Sequence, residues 1–158
     1  MFRKITIGLF LLCLFNLPVP LTATAQDDTD RPACEKEIVE EYFGEVTEMI
    51  LAQGEGLSAV FGSDGDELGD LYTASVEDYR ALEDGEAELP ECLLKINNAI
   101  LAMTAAYQDA MTYYAISQLD DDNAVDMLSG ASDASERYQE ISATTSDLLE
   151  EIEAEMIE

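Results

Sequence analysis

The sequence predicts an all-α protein: an up-down-up-down four-helix bundle tied by one disulfide and preceded by a cleaved signal peptide. Three observations carry that expectation. From Pro32 onward apolar residues recur at three- and four-residue steps, the period of an amphipathic helix, and no strand-rich region interrupts them. The connections between these stretches are short, which favours antiparallel neighbours. Cys34 and Cys92 fall at the starts of the first and third helical stretches, so this topology brings both sulfurs to one end of the bundle.

Residues 1–25 read as an export signal. Arg3 and Lys4 give a basic start, residues 5–17 form an almost unbroken apolar run, and Ala23, Thr24 and Ala25 supply a small-x-small pattern for cleavage before Gln26. The expected location is therefore secreted or periplasmic, where thiols oxidise and a Cys34–Cys92 bridge is the default. Residues 26–31 read as a polar, disordered leader, and residues 32–158 as one helical domain of ordinary size. No stretch after the signal is apolar enough to span a membrane.

The first helix starts near Pro32 and follows Cys34, Ile38, Tyr42, Val46, Met49 and Ile50. It is expected to fade near Gln53 and Gly54, with Gly44 marking a close contact inside it. Residues 54–69 hold five of the nine glycines and read as a loop. Within it Leu57, Val60 and Phe61 form an apolar knot, either folded over the end of the bundle or exposed as a contact loop.

Asp64 or Asp66 is placed to cap a second helix carrying Leu68, Leu71, Tyr72, Val76, Tyr79 and Leu82, with Gly85 at its end. Pro90 opens the third helix. No ionised side chain lies between Lys95 and Asp109, and apolar residues cover much of its circumference, so this helix is expected at the centre. Its Met103, Tyr107, Met111 and Tyr114 line either the core or an apolar ligand groove. Leu119 and residues 120–123 make an acidic turn. The last helix then follows a narrow seam through Val125, Leu128, Ala131, Ala134, Tyr138, Ile141, Thr145, Leu148, Ile152 and Met156. Gly130 lets a neighbour approach or marks a kink.

Charge bounds the function. The chain carries 35 acidic and 7 basic residues and no histidine, for a net charge of −28. Removal of Arg3 and Lys4 with the signal takes this to about −30, a field that repels nucleic acid and anionic lipid. Cations, basic proteins and basic peptides are the compatible partners, and weak non-specific binding of divalent cations is expected. The same acidity also reads as a solvated surface suited to salty surroundings.

Without histidine a Ser-His-Asp triad, a Glu-x-x-His di-iron site and a Cys-x-x-Cys-His haem attachment are excluded. The acidic runs at Asp64 and Asp120 miss the ligand positions of an EF-hand loop. No catalytic residue, dedicated metal site or cofactor is therefore expected. The functional expectation is a non-enzymatic binding or cell-envelope interaction module. The alternative is a carrier of a small apolar ligand in a groove lined by the third helix.

Overall fold

The computed structural model describes residues 31–119 and 122–156. The expected signal peptide, residues 26–30 of the expected leader, and Asp120 and Asp121 of the acidic turn lie outside the described residues. Four helices pack together: α1 (Lys36–Val60), α2 (Gly65–Gly85), α3 (Glu91–Leu119) and α4 (Ala124–Met156), with one 3-10 turn at Glu86–Glu88. No strand occurs among the described residues.

Contacts between named residues set the directions of the helices. Cys34 and Cys92 are bonded, with Cα atoms 6.3 Å apart, so α1 and α3 start at the same end. The end of α1 lies beside the last turns of α3, since the Phe61 and Tyr114 rings meet edge to face at 5.6 Å, five residues before α3 ends. The end of α2 meets the start of α3, where Asn97 Nδ2 donates to the Leu82 carbonyl at 3.3 Å. The end of α3 meets the start of α4, where Tyr113 lies over Gly130. Sequential helices are thus antiparallel.

The seam of α1 runs through Val39, Tyr42, Val46, Gln53, Gly56, Leu57 and Val60. The helix therefore does not fade at Gly54, and residues 54–60 of the expected loop are helical. Helix propensity argues against Gly54 and Gly56, at a cost of about 1 kcal/mol each. Burial of Leu57 and Val60 on α3 outweighs it. The connection shrinks to residues 61–64, closed by the Gly62 and Ser63 amides donating to the Ala59 carbonyl. Leu57 and Val60 are accordingly core residues, and of the expected contact loop only Phe61 is exposed.

Asp64 caps α2, its carboxylate accepting from the Asp66 and Glu67 amides at 3.1 and 3.0 Å. This helix buries a one-per-two-turns stripe, Leu68, Ser75 and Leu82. Tyr72, expected on that seam, faces solvent. Arg31 then clamps the turn into α3, donating to the Glu86 and Leu89 carbonyls at 2.9 and 3.1 Å. The last residue of the expected leader is thus held by the domain rather than disordered.

Helix α3 is the hub. It packs on α1, α2 and most extensively on α4. Leu93, Ile96, Ile100, Met103, Ala106, Tyr107, Ala110 and Met111 are all buried. Helix α4 answers with small residues, Ala131, Ala134 and Ser135, which let the two long helices approach, and then with Tyr138, Thr145 and Leu148. Val125 and Leu128, expected in this seam, are exposed. Axial rise explains why. Tyr114 meets Phe61, just beyond the end of α1, and Leu119 lies five residues further on, so α3 continues about 7.5 Å past that contact, with Val125 five residues before Gly130 on the facing helix.

Candidate functional site

The core is apolar but crossed by polar layers. Near the disulfide end, the Tyr42 hydroxyl donates to Asn97 Oδ1 at 3.0 Å. Midway, Gln53 Nε2 donates to Asp78 Oδ2 at 3.1 Å and to Thr104 Oγ1 at 3.1 Å, joining α1, α2 and α3. Gln108 reaches the Ser75 carbonyl at 3.0 Å, and Tyr138 the Ile50 carbonyl at 3.3 Å. No buried side-chain nitrogen or oxygen among the described residues lacks a partner. These groups are neutral apart from the half-buried Asp78, and their hydrogen bonds between helices fix the register of the bundle.

Burial shapes the three interior tyrosines. Desolvation raises the Tyr42 phenol well above its ordinary value. Tyr107 is raised by burial and then by the charge of Asp78. Tyr138 is pushed up to about 12 by burial and by its neighbour Tyr107, whose ring lies 6.0 Å away.

Met103, Tyr107 and Met111 are buried in the central cluster, and Tyr114 packs against it from its edge. Tyr114 also donates to the Phe61 carbonyl at 3.1 Å. Of the four candidates, Met103, Tyr107 and Met111 are thus core residues and Tyr114 lies at the edge of the core. A cleft of about 130 Å³ lies instead at the disulfide end, between the first half of α1 and the end of α2. Val46, Met49, Leu82 and Leu89 give it an apolar floor, Tyr42 and Asn97 a polar corner, and Glu45 a carboxylate. No motif announces this cleft, because its walls come from three elements separated by some fifty residues of chain.

The outer surface has a stronger signature. Arg31 is engaged by backbone carbonyls, Lys36 pairs with Glu40 at 3.4 Å, and Arg137 pairs with Asp109 at 3.0 Å. Few cations remain to balance the carboxylates. They are also unevenly placed: no Lys or Arg lies between Lys36 and Arg80, or between Lys95 and Arg137. The fold superposes the middles of these two stretches at the end opposite the disulfide. There Asp64, Asp66, Glu67, Asp70, Asp122 and Asp126 are exposed. The same end exposes Phe61 (46%), Leu119 (87%), Val125 (80%) and Leu128 (40%).

Among the described residues no group of three or more His, Cys, Asp or Glu side chains is arranged to hold a metal ion, and no helix is long and apolar enough to cross a membrane. No protein-family model, curated protein or solved structure matches the chain.

Proposed function

We propose that this chain is a non-enzymatic, exported binding module whose partner is a basic protein or peptide, acting in the periplasm or outside the cell. The observation that carries this reading is the uncompensated carboxylate surface. Of the five basic residues after the signal, three are engaged within the fold, while the acidic residues whose exposure is described are exposed, Asp78 and Glu86 apart. Such a field accelerates encounter with cations and sets partner choice more than it sets affinity. The disulfide fits an oxidising compartment.

Pull-down from envelope extract with the oxidised protein should recover a discrete basic partner, with recovery falling steeply as salt rises. Recovery that is indifferent to salt, or an acidic partner, would refute the reading. Export has its own test: the mature protein should begin at Gln26 by mass spectrometry.

The cleft beside Tyr42 favours a second reading, a carrier of a small apolar ligand. At about 130 Å³ it admits only a ligand of a few heavy atoms, moved from the third-helix groove to the α1–α2 side. Titration with small alcohols and amines should then shift the Met49 and Leu89 methyl resonances and saturate. A strictly linear, non-saturating response would end this reading.

A further inference from the structure

We infer that the exposed apolar face formed by Leu119 at the end of α3 and by Val125 and Leu128 at the start of α4 is the docking surface for a cationic amphipathic segment of a partner protein. The inference rests on the proposed binding role and adds to it a place and a partner chemistry. Leu119 and Val125 flank the turn, and Leu128 lies one helical turn beyond Val125 on the same face of α4. All three are exposed, and Leu119 lies about 7.5 Å of helix past the contact that Tyr114 makes with Phe61 just beyond the end of α1. These side chains lack cover from the described part of their own fold.

Charge complementarity selects what covers them. Asp122 and Asp126 flank Val125 at the start of α4, Asp66 and Glu67 are exposed on the first turn of α2 at the same end of the bundle, and no lysine or arginine lies between Lys95 and Arg137. A second copy would bring like charge against like charge, and an anionic bilayer would do the same. A helix with leucines on one face and lysines flanking them meets both the apolar face and its acidic rim. Burial of the leucines supplies affinity, and the rim charges supply the on-rate and exclude acidic competitors.

The test uses the oxidised full-length mature chain and two synthetic probes: an amphipathic Leu/Lys helix, and a lysine peptide of equal charge without leucine. Affinity is read by fluorescence anisotropy and location by amide chemical shifts. The Leu/Lys helix should shift amides around Leu119, Val125 and Leu128. Its affinity should fall about tenfold or more in the triple variant Leu119→Ser, Val125→Ser, Leu128→Ser, while the lysine peptide binds both proteins equally. An unchanged amide spectrum elsewhere shows that the variant is folded, and the shift map on the unaltered protein stands independently of it.

Shifts spread over all helices, or equal affinity for both proteins, would overturn the assignment to this face while leaving the basic-partner reading in place. No binding of either peptide at low salt would overturn both. Neutral lipid vesicles that shift the same amides more strongly than the peptide would also overturn it, in favour of a membrane surface.

Discussion

Gly56 offers the sharpest check on the packing of this bundle. No residue among those described has a positive φ, so the glycine is needed for room rather than for backbone freedom. A Cβ built there falls on the Tyr107 hydroxyl, 3.1 Å from Tyr107 Cζ and 3.3 Å from Leu71 Cδ2. Tyr107 is 2% exposed and packs against Tyr138, so its ring has little space to withdraw. Overpacking of this kind costs about 1–3 kcal/mol. Alanine in place of glycine returns about 1 kcal/mol of helix propensity. Gly56→Ala should therefore destabilise by about 1–2 kcal/mol near the upper end of that clash. Gly44→Ala supplies the reference: nothing lies within 4 Å of its Cβ, and the substitution should stabilise by about 1 kcal/mol. The assay is urea unfolding with the disulfide intact, extended to a double-mutant cycle with Tyr107→Phe. Removing the hydroxyl removes the nearest atom, so Gly56→Ala should cost much less in the phenylalanine background. If Gly56→Ala stabilises as Gly44→Ala does, or if Tyr107→Phe brings no relief, the α1–α3 contact is not as described.

The remaining expectations concern the bridge and the charges. Replacing Cys34 and Cys92 together by serine opens a loop of about 59 residues and should lower stability by about 4 kcal/mol in the chain-entropy account, measured by urea unfolding. Stability should also fall on the alkaline side. Tyr42, Tyr107 and Tyr138 hold their protons more tightly folded than unfolded. Their contribution is complete below about pH 10 and is lost as pH climbs through the raised folded values, about 12 for Tyr138. Tyrosinate absorbance and the urea midpoint should change together over that range, and Tyr138→Phe should flatten the decline. Added salt should raise the melting temperature, because it screens self-repulsion among carboxylates. A melting temperature independent of salt would mean the charges are dispersed enough not to interact.

The helical seams were legible because the apolar period records which face meets a neighbour. Leu68, Leu82, Ile96, Ile100, Met103 and Tyr138 all lie where their spacing put them. Local chemistry narrowed the α2 cap to Asp64 or Asp66, of which Asp64 is the one that accepts the amides, and topology brought Cys34 and Cys92 together. The period does not record whether a neighbour is long enough to cover that face, which is why Val125 and Leu128 were expected inside and stand outside. Glycine was the other failure. Gly44 suggested a close contact and faces open space, whereas Gly56 suggested a loop and lies beneath Tyr107. The sequence marks both identically, and only the tertiary partner distinguishes them. The cleft stayed hidden for a related reason: Tyr42, Leu82 and Asn97 form a site only after three helix ends converge.

The surface charge has little stabilising work within this architecture. Acidic residues occupy the first turns, Glu37, Asp66, Glu67, Glu91 and Asp126, but none of the four described helices has a basic residue in its last turn. The dipoles are thus complemented at one end only. Lys36–Glu40 and Arg137–Asp109 are exposed pairs, which water and salt weaken. Stability must come from the seams around α3 and from the disulfide, and it must carry the repulsion as well. Salt consequently separates the two meanings of the acidity. If the carboxylates serve only to keep the protein hydrated in salty surroundings, screening raises stability and no interaction is lost. If they steer a basic partner, the same screening raises the melting temperature while lowering affinity, so the two quantities run in opposite directions along one salt titration.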